Sequence, residues 1–238
     1  MKIIALVLTY NSEKFIGKVL DSIPRELFSD VICSDDGSRD QTTNIIQERK
    51  FKFIKADINK GYGSNLFSGL KACFNDGATH VVEIHGDGQY DINFLPDMLK
   101  KFSEKKDLVL GNRFYKSKRA IQNGMPYYIY FGNHVLTFIG SVGLGLKSQD
   151  LFPGFRGYSK KFYDKICKTK FSDGYQLSFE IIAKSHFENL KIDFVPCENH
   201  YEGITAPLSY AIIAYLHTAW ICLLYRLAII GIKLGIFK

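Results

Sequence analysis

Acids and glycines gather in three short stretches of this chain: SDDGS at residues 34–38, NKGYG at 59–63 and HGDGQY at 85–90. The first and third each follow an apolar run that reads as a strand, and the second closely follows one. Acidic and glycine turns at the ends of successive strands are how an open α/β sheet holds a nucleotide and its metal ion. The chemistry to expect is therefore binding of a nucleotide-activated substrate. Asp35 and Asp36, in a tight turn ending in Gly37-Ser38, are suited to accept hydrogen bonds from a base or ribose. Standing alone, that motif would read as a turn whose acids cap a helix. Asp87, flanked by Gly86 and Gly88, is the better metal ligand, because glycines let a bulky phosphate and a hydrated ion approach. Gln89 adds a neutral oxygen ligand, and His85 either ligates, orients or simply packs. NKGYG lacks the GK[ST] ending of a phosphate loop. Its glycines, Gly61 among them, allow close backbone approach, and Lys60 offsets phosphate charge.

These turns need strands to carry them. Apolar, β-rich runs recur at 3–8, 31–33, 51–55, 80–84 and 108–110, separated by helix-compatible segments near 12–22, 41–49, 63–74 and 92–102. That alternation predicts an α/β fold, a mostly parallel central sheet covered by helices, with ligands at the carboxyl ends of the strands. Asn11 or Ser12 is placed to cap the first helix and Asp40 the second. After Gly111 the texture changes. Residues 113–122 are basic and polar, and 124–145 are aromatic and glycine-rich, suited to core, an acceptor channel or a membrane-facing wall. A further region with a strand-like run at 191–195 extends from Asp150 to about Tyr201. No stretch between them has a linker's composition.

Across 238 residues, 46% are hydrophobic and 23% charged, values of a folded globular chain rather than a disordered one. The formal charge of +7 favours anionic partners such as phosphates or acidic headgroups. Nucleic acid is not expected, because the basic residues are scattered and no binding signature for it is present. The five cysteines are widely spaced with no CxxC pair. They read as reduced thiols of a cytosolic compartment, not as a zinc site or disulfide framework. The opening run at residues 3–8 is too short for a secretion signal.

Residues 208–225 form an uncharged stretch of eighteen, followed by Arg226 and Lys233. As a helix it would extend about 27 Å, just short of a bilayer's hydrocarbon core. Three arrangements remain open: a helix pair lying on a membrane surface, a helix packed on the domain or a partner, and a true span.

The segments YNSEKFIGKVLDSI, SDDGSRDQT, NKGYGSNLFSGL, HGDGQYD, LGNRF and SQDLFPGFRGYS follow one another in that order. On them, residues 2–202 resemble the family 2 glycosyltransferases, nearest to the dolichyl-phosphate mannose synthase-like branch. The resemblance implies a GT-A domain over residues 1–203 that binds a nucleotide-diphospho-sugar of UDP or GDP type. An apolar helical tail, 204–238, would follow. It implies Mg²⁺ or Mn²⁺ as cofactor, a polyprenyl phosphate or glycan acceptor, and peripheral attachment to the cytoplasmic face of a membrane. Residue by residue, it places Thr9, Tyr10 and Asn11 beside the base, Asp36 on base or ribose, and Asp35 as the other acid of that turn. Asp87 and Gln89 match the second acid of the DxD metal motif and the glutamine after it. Arg113 and Arg156 match arginines that face the diphosphate or an acceptor phosphate.

This sequence departs from the family pattern in three places. His85 stands where the first acid of the metal motif is usual. Ser12 replaces the glutamate that commonly follows Tyr-Asn. The stretch 195–203 lacks an arginine often found in the family's ending. The implied reaction is inverting transfer, with the ion stabilising charge on the leaving diphosphate. A phosphate acceptor is already an anion and needs only arginine clamping. A hydroxyl acceptor would need a base, for which the family position is Asp150, with Glu180 as a second candidate. The competing readings are a non-catalytic nucleotide-sugar binder or scaffold, and a sugar-phosphate nucleotidyltransferase. The last lacks a glycine-rich loop with a basic ending after the first strand.

Overall fold

The structure, a computed structural model, describes residues 1–116, 118–174, 176–201, 213 and 216–224. Its frame is a sheet in the order β3-β2-β1-β4-β6-β5-β7. The strands are β1 (Ile3–Thr9), β2 (Asp30–Asp35), β3 (Lys52–Lys55), β4 (His80–His85), β5 (Leu108–Asn112), β6 (Arg156–Ser159) and β7 (Ile192–Pro196). All neighbours are parallel except β6, which runs antiparallel to both β4 and β5. The six strand runs read from the sequence match β1 to β5 and β7. β6 was not foreseen, because RGYS carries no apolar run.

β1 is apolar at almost every position because helices cover both of its faces. Ile4, Leu6 and Leu8 join Leu66 and Leu70 on one side. Ile3, Ala5 and Val7 join Ile16, Leu20 and Ile46 on the other. The period of two along a strand sends alternate residues into the two cores. Helices α1 (Ile16–Ser22), α2 (Thr42–Glu48) and α4 (Leu95–Ser103) cover the second face. Helices α3 (Tyr62–Asn75), α7 (Lys160–Ile166) and α8 (Leu177–Phe187) cover the first. Between β5 and β6 run α5 (Arg119–Gln122) and α6 (Tyr127–Leu144).

The helix starts differ in detail from the expected caps. α1 begins at Ile16 with no side-chain cap. Asn11 instead adopts φ 46° and its Oδ1 accepts from the Arg39 backbone N–H at 3.0 Å. Asp40 does take the Thr42 N–H, at 3.0 Å, one residue ahead of the position expected of a cap.

Residues 216–224 are helical and lie on the domain: His217 Nε2 is 3.0 Å from Glu180 Oε1, and Cys222 Sγ is 3.8 Å from the Ile139 carbonyl. The remainder of the 204–238 tail, residue 213 apart, lies outside the described residues. Among the described residues no helix is long and apolar enough to cross a membrane. All five cysteines are free thiols.

Glu198, just beyond β7, ties down the polar segment after β5. Its carboxylate accepts from Arg119 Nε at 2.9 Å, from Asn123 Nδ2 at 3.1 Å and from the Tyr115 hydroxyl. The Arg119 hydrogen bond, then that of Tyr115, holds this carboxyl at about 2, against an ordinary 4.5. A pKa lowered by folding contributes stability above the unfolded value that is lost as pH falls through the folded one. Glu198→Gln should therefore lower stability by about 1–3 kcal/mol at pH 7, the range for a charged hydrogen-bond acceptor. The gap from wild type should narrow as pH falls from 4.5 toward 2. Urea unfolding across that range checks it, and a gap independent of pH would refute the role of the charge.

Candidate active site

The carboxyl ends of β1, β2 and β4 come together by register. Thr9 pairs with Asp35 across β1–β2, and Leu8 pairs with His85 across β1–β4. The chain leaves β1 toward β2 and β3 on one side, while β4 lies on the other, so a topological switch point opens between β1 and β4. Gly86 sits in that opening, where a Cβ would come within 3.0 Å of the Thr9 side chain. The Thr9 hydroxyl there is buried and has no hydrogen-bond partner among the described residues.

The acidic turn does two different jobs. Asp35 is buried and holds its own loop, accepting from the Ser38 backbone N–H at 3.2 Å, the Ser38 hydroxyl, and Thr43 Oγ1 at 3.2 Å. Asp36 reaches across to the glycine loop. Its Oδ1 accepts from the Lys60 N–H at 2.9 Å and its Oδ2 from the Gly61 N–H at 2.8 Å. Gly61 takes φ 94°, a conformation that L side chains rarely adopt, and a Cβ there would lie 2.8 Å from the Asp173 carbonyl. Asp36, Lys60 and Asn65 border a cavity of 220 Å³. Tyr10 is exposed, and the Ser38 hydroxyl accepts from the Asn11 N–H at 2.8 Å.

At the end of β4 the outcome is more surprising. Glu83, which sequence reading passed over inside the apolar run HVVEI, is wholly buried. Its Oε1 accepts from the Tyr62 hydroxyl and lies 2.8 Å from His85 Nε2, and its Oε2 accepts from the Tyr158 hydroxyl. Burial alone would raise the Glu83 carboxyl. The Arg156 charge and the His85 contact outweigh it and leave it below the ordinary range. Burial would likewise lower His85, but the Glu83 hydrogen bond and charge, with Asp87, leave it raised. Asp87 is partly exposed, and its Oδ1 accepts from the Gln89 N–H at 3.0 Å. The chain beyond β7 anchors this turn: Asp91 N–H donates to the Glu198 carbonyl, and His200 N–H to the Gln89 carbonyl.

The two arginines separate. Arg113 stands at the end of β5, beside the turns. It makes a bidentate pair with Asp150, Nε to Oδ2 at 2.7 Å and Nη2 to Oδ1 at 2.8 Å, and also reaches the Tyr201 hydroxyl and Asn133 Oδ1. Among the described residues, one of its five N–H groups has no partner. Arg156 does not face an opening. It is 1% exposed and lies within 4.0 Å of Glu83, donating to the Tyr62 hydroxyl and Ser178 Oγ. Arg156 was expected to face a phosphate; in this structure the residue alternation of β6 turns it toward the core beside the buried Glu83 carboxylate.

The expected bases are also engaged. Asp150 is wholly buried and spends both oxygens on Arg113, with a further bond from the Phe152 N–H at 3.1 Å. Its geometry is that of a group aiming an arginine, not of a base open to an acceptor. Glu180 accepts from the Ser172 N–H and hydroxyl and pairs with His217. No cluster of three or more His, Cys, Asp or Glu able to hold a metal occurs among the described residues. Asp87 with His85 or Gln89 would supply only part of an ion's shell, and phosphate oxygens would have to supply much of the rest.

Comparison with known proteins agrees with this arrangement. The family model described as Glycosyl transferase family 2 matches residues 5–167. UDP-N-acetylglucosamine–dolichyl-phosphate N-acetylglucosaminyltransferase of Methanococcus voltae is 27% identical over 219 residues, covering 84% of this chain and 86% of that one. Glycosyltransferase AglJ of Haloferax volcanii is 24% identical over 190 residues, covering 79% of this chain and 59% of its own. Among solved structures, glucosyl-3-phosphoglycerate synthase from Mycobacterium tuberculosis, in complex with Mn²⁺, UDP and glucosyl-3-phosphoglycerate, superposes with a TM-score of 0.67. It is 18% identical and covers 94% of this chain and 79% of its own. That likeness identifies the fold as GT-A. With its switch-point turns in place and the family model spanning more than half its length, the chain belongs to glycosyl transferase family 2.

Proposed function

We propose that this glycosyltransferase moves a sugar from a uridine diphosphate donor to a lipid-linked phosphate at a membrane surface, with inversion at the anomeric carbon. The observation that carries the reading is the convergence, at one sheet edge, of Asp36 on the 60–61 backbone, Asp87 in its glycine turn and Arg113 at the end of β5. Asp36 fixes the loop whose backbone and Lys60 would face the nucleotide. A uridine donor and a dolichyl-phosphate acceptor are what the Methanococcus voltae relative is named for. Mn²⁺ and UDP are together in the solved neighbour.

Asp87 and Gln89, with His85, fit a divalent cation: an open carboxylate, an amide oxygen and an imidazole on one turn. When bound, such an ion supplies charge stabilisation for the departing diphosphate. Arg113 directs positive charge at the same edge, held rigid by Asp150. The engagement of Asp150 and Glu180 favours an acceptor that needs no base. A phosphate arrives already ionised, and clamping by a guanidinium is enough to orient it. A hydroxyl acceptor would require Asp150 to leave Arg113, exposing a buried charge pair at a cost of about 3–5 kcal/mol.

α6 supports a membrane surface as the meeting place. Tyr127, Phe131, Phe138 and Val142 are all exposed, and at 100° per residue they fall within about 60° on one side of the helix. Leu216, Trp220 and Leu223 on the neighbouring helix are exposed as well. A groove of 740 Å³, bordered by His134, Phe138, Val142 and Lys147, runs along α6 to Gln149. Gln149 accepts a hydrogen bond from Asn112, the residue before Arg113.

The reading is tested by incubating the protein and polyprenyl phosphate vesicles with UDP-sugars or GDP-sugars, then detecting glycosylated lipid by mass spectrometry. Lipid-linked product from a UDP-sugar is expected. Nucleotide binding without turnover on any acceptor would favour the non-catalytic reading. Asp87→Ala should reduce kcat/KM at least about 100-fold while the melting temperature stays near wild type. Unchanged turnover would remove Asp87 from the site. Asp36→Ala, which frees the Lys60 and Gly61 N–H groups, should weaken UDP binding about 10- to 100-fold by calorimetry, equivalent to about 1.4–2.8 kcal/mol. The double change Phe131→Glu with Phe138→Glu should abolish sedimentation with anionic vesicles yet leave UDP affinity intact. Retained sedimentation would move the membrane contact away from α6.

A further inference from the structure

His85 occupies the place of an acid, and the structure shows what stands behind it. Glu83 and His85 are two residues apart on β4, so their side chains leave the same face of the strand. Glu83 is a buried carboxylate that accepts from two tyrosine hydroxyls and lies within 4.0 Å of Arg156. An ionised carboxylate can only accept, so His85 Nε2, 2.8 Å away, must carry the proton of that contact. In the neutral imidazole the tautomer is thereby set, with the lone pair on Nδ1. Among the described residues Nδ1 has no hydrogen-bond partner, and the side chain is 21% exposed.

The ring is also fixed in angle. Tyr62 and Tyr90 flank it, with ring centroids at 5.7 and 5.1 Å. On a further side is Gly154, where a Cβ would come within 2.7 Å of His85 Cε1. Asp87 lies close enough for its charge to act on the imidazole. A carboxylate that holds one nitrogen of a histidine, leaving the other free beside an acid, is the arrangement of a histidine prepared for a metal ion.

We propose that Glu83 is a positioning residue that presents His85 Nδ1, beside Asp87, as a nitrogen ligand. This donor set shifts the balance from Mg²⁺ toward first-row transition ions such as Mn²⁺. An acid at this place would offer an oxygen that hard Mg²⁺ accepts. An imidazole shifts the balance toward transition ions, which bind nitrogen better. A cation competes with a second proton for Nδ1, since an imidazole ligand must be unprotonated to bind. The inference rests on the nucleotide-sugar reading of the site, because diphosphate oxygens must complete the shell.

The test reads the ligand atoms without turnover. Protein is loaded with Mn²⁺ and whichever of UDP or GDP raises its melting temperature, and electron spin echo modulation from ¹⁴N is recorded. Histidine-bound nitrogen should appear in wild type, convert to a ¹⁵N pattern in protein grown with ¹⁵N-histidine, and vanish in His85→Gln. Glu83→Gln should weaken Mn²⁺ affinity roughly 10- to 100-fold, the usual effect of losing an outer-shell partner. His85→Asp should shrink the wild-type preference for Mn²⁺ over Mg²⁺ at least about tenfold in calorimetry. His85→Gln and His85→Asp carry the test if Glu83→Gln fails to fold. Mn²⁺ and nucleotide bound together without a histidine nitrogen signal would overturn this inference and leave the nucleotide-sugar reading standing. So would equal Mg²⁺ and Mn²⁺ affinities in wild type. No stabilisation by either nucleotide with any ion would overturn both.

Discussion

Burial of β1 and β4 on both faces confines polar chemistry to the strand ends. A strand covered on both sides has no solvated face on which an ionisable group can sit cheaply. The side chains of β1 accordingly stay apolar up to Thr9, and those of β2 from Val31 to Cys33, between Asp30 at one end and Ser34 and Asp35 at the other. Parallel pairing then stacks these ends at one edge, and the reversal of strand order opens a crevice there. The turns at 34–38 and 85–90 are therefore neighbours in space although about fifty residues apart in the chain. Asp36 and the 60–61 backbone complete the same edge from the start of α3.

Glu83 is the exception to that confinement, and its surroundings show what the exception requires. An isolated carboxylate at this depth would be strongly destabilising. Here two tyrosine hydroxyls, the His85 imidazole and the Arg156 guanidinium surround it. Pairs of this kind roughly break even for stability, because desolvation offsets attraction, whereas losing one partner costs about 3–5 kcal/mol. Their value is in fixing geometry. Arg113 and Asp150 repeat the device on the other side of β6, with the arginine at the strand end and the acid behind it. In both pairs a buried carboxylate holds a basic side chain in one orientation next to the opening. The buried anion at Glu83 fixes the His85 imidazole, and the one at Asp150 fixes the largely buried Arg113 guanidinium.

Much of the frame could be read from the sequence, for a definite reason. A doubly buried parallel strand announces itself as an apolar run, and IIALVL, HVVEI and LVL were found at their places. The acidic and glycine turns were equally visible, since their spacing from those runs places them at the carboxyl edge. What stayed hidden was pairing across the sheet. RGYS has no apolar signature, so neither the antiparallel β6 nor the inward direction of Arg156 could be inferred. The motif resemblance singles out Arg156 by its order in the chain, which carries no information on its depth. Asp150 is singled out as a possible base by its place in the family pattern; its pairing with Arg113, 37 residues away, arises only on folding and leaves no trace in the sequence. Glu83 was overlooked for the opposite reason: within HVVEI it looked like a tolerated polar position, and only its three-dimensional partners reveal its hold on His85.

The aromatic segment shows how one composition can serve two environments. As a bare stretch, 124–145 suits a core as well as a surface. In α6 it does both, because a helix presents its residues around a full circle. Leu136, Gly140 and Leu144 turn inward, and at Gly140 a Cβ would come within 2.4 Å of Leu151. Tyr127, Phe131, Phe138 and Val142 turn outward and are exposed. Four outward apolar side chains in a stripe on one helix are more than the scattered exposure that any soluble surface carries. α6 also reaches the site directly, through Asn133 on Arg113, and its C-terminal end leads to Gln149 on Asn112. A surface that is apolar outside and bonded to the reactive edge inside couples where the protein sits to how its arginine is aimed. Contact with a membrane along α6 would thus bring a lipid headgroup toward the end of β5, where Asp150 holds the Arg113 guanidinium in one orientation.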